Sequence, residues 1–146
     1  MPSDDVNTRI LVELMNVGDI TRRAVVRALD KRAVCTLRQF LVMDVIARSI
    51  INVSPGTLAE KLGCSRANVT HVLGELRYRE WLTFTPTYRD LRSSIVGLSD
   101  SGLVAYASYG RRLADVAGRE LAPLDVESRR AFGMVLRALA GFRTRL

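Results

Sequence analysis

Arg66, Ala67, Asn68, Thr70 and His71 follow Ser65 in a stretch whose apolar residues, Val69, Val72, Leu73 and Leu76, recur at helical spacing. On a helix the first set lies around the side away from the apolar stripe. Its side chains match base-pair edges. Arginine pairs with guanine O6 and N7, asparagine pairs with adenine N6 and N7, and alanine meets a thymine methyl. Ser65 and Thr70 suit phosphate or base. A second cluster follows in TPTYRDLRSS, where Arg89 and Arg92 flank Asp90. An arginine on a loop suits the negative potential of a minor groove. Asp90 would hold that loop by accepting backbone or arginine hydrogen bonds. Each cluster alone has an ordinary reading: polar residues opposite an apolar stripe are usually a solvated helix face, and a hairpin with two arginines means little. Their succession carries more weight than either.

The remaining chemistry is sparse. His71 is the only histidine, and Cys35 and Cys64 do not form a metal-ligand spacing. There is no glycine-rich phosphate loop and no carboxylate pair at a telling spacing. The expectation is a protein that is not an enzyme and takes no cofactor or metal. With 22 Lys and Arg against 15 Asp and Glu, the net charge is +7, and only Lys31 and Lys61 are lysines. Such a balance favours polyanions, nucleic acid first and an anionic membrane surface second. Arginine richness also follows genomic base composition, so charge shifts the reading only modestly. No apolar run approaches the roughly 18 to 20 residues that span a bilayer. The opening MPSDDVNTRI is acidic where a secretory signal would be basic. A cytoplasmic protein with free thiols and no membrane partner is expected.

The elements that must position these residues are legible. Residues 6–30 read as a helix with Val6, Ile10, Leu14, Met15, Val25, Val26 and Leu29 as its stripe, and Gly18 as a candidate bend. Thr36 reads as the N-cap of a second helix carrying Leu37, Phe40, Leu41, Val45 and Ile46. Residues 49–53 read as a short extended piece. Ser54-Pro55 marks the next helix start, and Gly63 suits the left-handed residue that closes it. Ser65 caps the helix with the base-matching face. Leu82 to Thr85 and Ser94 to Leu98 read as strands around a polar tip. Ser99 caps a long helix with Leu103, Tyr106, Gly110, Leu113 and Ala117 on one face, and Asp125 caps a last helix ending near Phe142. The order ααααββαα is a mainly α winged helix-turn-helix (α+β) in one domain of 146 residues. Ala59 suits the close helix crossing, and Gly63 the turn. Two helices joined by a glycine turn also occur in many bundles.

Three motifs together resemble the MarR (multiple-antibiotic-resistance regulator) family of bacterial winged-helix regulators: L-A-x-x-L-G-x-S-R-x-x-V-T at Leu58 to Thr70, R-D-x-R at Arg89 to Arg92, and L-S-D-S-G at Leu98 to Gly102. The resemblance covers roughly residues 30–145. It implies a homodimer with a winged helix in each arm, the helical dimerisation region being built from the N- and C-terminal helices. On that reading 1–34 and 100–146 knit the dimer and 36–99 bind double-stranded DNA. The implied function is a sequence-specific transcriptional regulator, a ligand-responsive repressor acting on a pseudo-palindromic operator.

The last helix, read by itself, carries Phe132, Val135, Leu139 and Phe142 beside Ala131, Met134 and Ala138. That arc fits a dimer contact or an ordinary core-facing helix. Two inputs stay open. A small lipophilic or aromatic effector could bind beside Tyr106 and Tyr109, although aromatics at helical spacing are more often core. Alternatively Cys35, its pKa lowered by the nearby helix terminus and by Lys31 or Arg32, could make the regulator redox-responsive. A winged-helix protein-interaction module that does not bind DNA is the remaining alternative. Two departures from the family pattern stand out. Glu80 occupies the position before Trp81 where glycine is common, so a different helix end is expected there. His71 and Gly74 replace residues that are often charged, which bears on the sequence read.

Overall fold

The computed structural model describes residues 5–29, 33–50, 53–87 and 90–143. Its elements are α1 (Val6–Leu29), α2 (Leu37–Arg48), α3 (Pro55–Leu62), α4 (Arg66–Tyr78), β1 (Leu82–Thr87), β2 (Asp90–Leu98), α5 (Asp100–Glu120) and α6 (Val126–Arg143). The order is the expected one.

Local chemistry sets most boundaries. Thr36 accepts from the Gln39 N–H while the Gln39 side chain accepts from the Thr36 N–H, a complete capping box for α2. Ser54, Ser65 and Ser99 each accept from the backbone N–H three residues on, and Asp125 does so from Ser128. Pro55 opens α3 where its missing N–H costs nothing. Helix α1 runs through Gly18 without a break.

Helix α2 is the centre, packed against α3, α4, α5 and β2. Its Phe40, Val42, Met43 and Ile46 join Leu58 and Ala59 of α3, Val69, Val72, Leu73 and Leu76 of α4, Leu82 of β1 and Tyr109 and Val116 of α5 in one core. Val42 and Met43 are almost wholly buried, although neither belongs to the stripe read from the sequence. In α5 the buried edge is Gly102, Ala105, Tyr109 and Val116, one position round from the expected face, and Leu103 is exposed. That face brings the start of α5 close to Trp81, just before β1. A β-carbon on Gly102 would collide with the Trp81 carbonyl, so only glycine fits there.

Strands β1 and β2 pair antiparallel from Leu82↔Leu98 to Pro86↔Ser94. Both extend further toward the tip than expected. The register then jumps to Thr87↔Asp90, and the irregularity on β2 takes up residues 91–93.

Helices α1 and α6 contribute little to this core. Within α1 only Leu29 is buried, while Val6, Ile10 and Met15 are exposed. In α6, Phe132, Met134, Val135 and Leu139 are all exposed. No helix among the described residues is long and apolar enough to cross a membrane.

Candidate nucleic-acid interface

The two helices of the helix-turn-helix are joined through Gly63, at φ 61° and ψ 36°. The Cys64 N–H donates to the Ala59 carbonyl at 3.1 Å and the Gly63 N–H to Glu60 at 3.2 Å, the paired bonds of a left-handed helix end. Ala59 is buried at the crossing, and Val69, Val72, Leu73 and Leu76 turn α4 inward. The half-buried Cys64 packs against the core.

With 3.6 residues per turn, the positions opposite that buried stripe are Ala67, His71, Gly74 and Tyr78. Thr70 lies beside them, whereas Arg66 and Asn68 fall on the two flanks. Ser65, Arg66, Ala67, Asn68, Thr70 and His71 are all exposed. Three of them already have neighbours. Ser65 is occupied as the cap, accepting from the Asn68 N–H at 3.2 Å. The Arg66 guanidinium lies against Gly56 in the first turn of α3. His71 Nε2 is 3.3 Å from Glu75 Oε1. The other Glu75 oxygen accepts from Gln39 Nε2 at 3.0 Å.

The contact residues read from the sequence leave out two residues of this face, one of which, Gly74, enters that reading only as a departure from the family pattern. Tyr78 is 91% exposed at the far end of the outward stripe. Gly74 has nothing within 4 Å of where a β-carbon would stand. Continuing the helical count from Ala67 reaches Gly74 after two turns and Tyr78 after three.

The wing follows through a tight joint. Glu80 has φ 58°, the one positive φ at a non-glycine position among the described residues. The Trp81 N–H donates to Leu76 at 3.0 Å and the Glu80 N–H to Arg77 at 2.9 Å. This is the left-handed helix end that glycine would make. The expectation of a different helix end is therefore corrected: Glu80 adopts the strained conformation and the geometry is kept. Arg77 lies over the Phe84 ring and Arg79 over Trp81, each 4.8 Å from the centroid. Arg89 lies outside the described residues, as do the side chains of Asp90 and Arg92. The backbone of Asp90 pairs with Thr87, and Arg92 falls in the irregular stretch of β2.

The candidate input residues Tyr106 and Tyr109 lie where α5 packs against α2. Phe40 stacks on Tyr109 at 4.7 Å and on Tyr106 at 5.2 Å. The Tyr106 hydroxyl donates to Asp44 Oδ1 at 2.7 Å, and Arg48 donates to the same oxygen at 2.7 Å. Burial first, then the bond to Asp44, pushes the Tyr106 pKa up. Tyr109 is a core residue with an edge on a cavity of about 220 Å³, lined also by Arg22, Cys35, Thr36, Leu37 and Arg38. The expected lowering of the Cys35 pKa is reversed. Burial pushes the thiol up to about 11, against a smaller opposing effect of Arg79. Arg79 donates to the Val34 carbonyl at 2.7 Å, which brings its charge beside Cys35. Lys31 and Arg32 lie outside the described residues.

No protein-family model matches this sequence, and a search of curated proteins returns no match. Solved structures do match. A MarR-family transcriptional regulator from Rhodococcus sp. RHA1 superposes with a TM-score of 0.81 at 19% identity, over 94% of this chain and 96% of that one. The regulator PcaV from Streptomyces coelicolor, in complex with its natural ligand, gives 0.73 at 22% identity over 97% and 98%. CouR from Rhodococcus jostii RHA1, bound to p-coumaroyl-CoA, gives 0.75 at 20% over 94% and 93%. At these identities the likeness establishes the fold: this chain has the winged-helix architecture of MarR-type regulators along nearly its whole length.

Proposed function

We propose that this chain is a MarR-type transcriptional regulator that binds double-stranded DNA as a homodimer in the cytoplasm, and that it acts as a ligand-responsive repressor. The observation that carries the reading is the outer face of α4. It is solvent-exposed, polar or small from Ala67 to Gly74, and followed directly by a hairpin with arginines at its tip. A helix so presented enters a major groove, and the wing beside it reaches the adjacent minor groove. In this reading 36–99 form the DNA-binding region. Residues 1–34 and 100–146 form the dimer, since α1 and α6 leave apolar faces uncovered in one chain. Ser65, Arg66, Ala67, Asn68, Thr70 and His71 meet the major groove, and Arg89, Asp90 and Arg92 serve the wing.

The cavity beside Tyr109 supports an effector role. Arg22 and Arg38 give it cationic walls and Leu29, Leu37 and Tyr109 give it apolar ones. A small aromatic carboxylate fits that chemistry. Two proteins similar in fold are solved with ligands: the transcriptional regulator PcaV with its natural ligand, and CouR with p-coumaroyl-CoA.

The test is a titration by fluorescence anisotropy against duplex from the chain's own upstream region and against a shuffled control, at two salt concentrations. A regulator binds the native sequence preferentially, with affinity falling steeply as salt rises. Absence of binding to both, and to a randomised duplex pool, refutes the proposal.

A further inference from the structure

Gln39, Glu75 and His71 form a continuous contact chain from the capping box of α2 to the outward face of α4. Gln39 is 4% exposed, and both ends of its amide are used. Its Oε1 accepts from the Thr36 N–H at 3.1 Å, and its Nε2 donates to Glu75 Oε2 at 3.0 Å. The remaining Glu75 oxygen, Oε1, lies 3.3 Å from His71 Nε2. Glu75 is the only carboxylate on α4. Facing DNA, a free carboxylate would repel phosphate or accept from a cytosine amine. Here both of its oxygens already face protein donors.

We propose that Gln39 and Glu75 are positioning residues that hold the His71 imidazole with its Nε2 hydrogen directed at Glu75 and its Nδ1 turned to the groove. The inference rests on the DNA-binding reading above. A carboxylate only accepts, so its nearness favours the hydrogen on Nε2. In the neutral ring Nδ1 is then an acceptor, which suits the exocyclic amine of adenine or cytosine and disfavours the oxygens of guanine and thymine at that position. An exposed histidine–glutamate pair one turn apart is by itself weak and mobile. The buried Gln39 fixes the carboxylate from behind and makes the pair a defined unit. Thr36, at the start of the chain of contacts, also lines the 220 Å³ cavity.

His71 is the only histidine, so the ring-nitrogen spectrum of ¹⁵N-labelled protein contains one imidazole. At mildly alkaline pH the expected spectrum is that of a single Nε2–H tautomer. Gln39→Met, which removes no atom touching His71, is expected to move it toward the mixture of a free imidazole. Unmoved ring signals in Gln39→Met overturn the relay. In selection from a randomised duplex pool, His71→Ala is expected to lose about tenfold preference at one base pair. Gln39→Met should lose preference at that same base pair, and the double variant should lose no more. Uniform weakening of all sequences by Gln39→Met, or additive losses, overturns the positioning role alone. A wild type that selects no sequence overturns the DNA-binding reading and this inference with it. Gln39→Met also gives up half of the α2 capping box. Glu75→Ala leaves that cap intact and carries both measurements if the first variant fails to fold.

Discussion

The Ser99 hydroxyl donates to the main-chain carbonyl of Glu80 at 2.7 Å, and Glu80 is the residue that turns left-handed after α4. Ser101 donates to the same carbonyl at 3.2 Å. Ser99 simultaneously caps α5, accepting from the Gly102 N–H at 3.1 Å. Gly102 in turn lies under the Trp81 carbonyl with no room for a β-carbon. The end of α4, the root of the wing and the start of α5 are therefore a single joint. The L-S-D-S-G motif is its sequence trace: serine for the bond and the cap, glycine for the close approach.

This joint makes opposite predictions for two substitutions. A left-handed non-glycine residue costs roughly 1 to 2 kcal/mol, of which glycine's own backbone entropy takes back about 0.5 to 1. Glu80→Gly is therefore expected to stabilise the fold by about 0.5 to 1 kcal/mol. Ser99→Ala removes a cap and a bond to a strained carbonyl, and is expected to cost about 1 to 2 kcal/mol. Urea denaturation of both variants measures this. A destabilised Glu80→Gly would mean that the glutamate side chain makes a contact outweighing the strain.

Gly74 separates folding from binding. An interior glycine costs a helix roughly 1 kcal/mol relative to alanine, and nothing in this chain occupies the space above it. Gly74→Ala should raise stability by about 0.5 to 1 kcal/mol. Gly74→Leu should fold equally well yet weaken DNA binding at least tenfold, because its side chain stands where the groove must close on α4. Thermal melts and anisotropy titrations of the two variants decide it. Undiminished DNA affinity in Gly74→Leu would place the interface elsewhere.

The local grammar of this chain is legible without a structure. Thr36, Ser54, Ser65, Ser99 and Asp125 cap helices because a cap depends on residues three positions apart. The buried face of α4 follows from its 3.6-residue period. The face of α5 does not. Hydropathy favours Leu103 and Leu113, whereas burial follows Gly102, Ala105 and Tyr109, where small residues allow the backbones to approach and Phe40 supplies the stacking partner. The Gln39–Glu75 bond spans 36 positions and leaves no periodic signal. The burial of Cys35 leaves no local signal for the same reason. Proximity to a helix terminus can be read from the sequence, but burial in the core cannot.

Cys35 sets an alkaline limit on stability. Its folded pKa of about 11 lies above the ordinary thiol value of 9.0, so the fold retains a proton that the unfolded chain has lost between those values. The contribution is complete below pH 9 and is lost as pH rises toward 11. Tyr106, also shifted up by burial, acts in the same direction from about pH 10. Stability measured across this range should fall less steeply for Cys35→Ala than for the wild type. At neutral pH a thiol reagent should modify the half-buried Cys64 before Cys35. Faster labelling of Cys35 would revive the oxidant-sensing alternative.

Assembly is the remaining test. Val135 and Leu139 of α6 are 55% and 46% exposed, and Ile10 and Met15 of α1 are 58% and 63% exposed. Exposed apolar residues are common singly, but two whole helix faces left uncovered on one chain call for a partner surface. Under the proposal these faces meet across a two-fold axis and place two copies of α4 about 34 Å apart, one turn of DNA. Leu139→Glu would bring like charges together at such an axis and strip apolar contact from both chains. It is expected to give a monomer by sedimentation. Its melting temperature should be lower and independent of concentration, whereas that of the wild type rises with concentration. DNA binding should fall by orders of magnitude even though α4 and the wing are unaltered, because each monomer then reads only a half-site. A Leu139→Glu protein that remained dimeric would remove α6 from the interface, and one that bound as a monomer with full affinity would remove the palindrome from the proposed function.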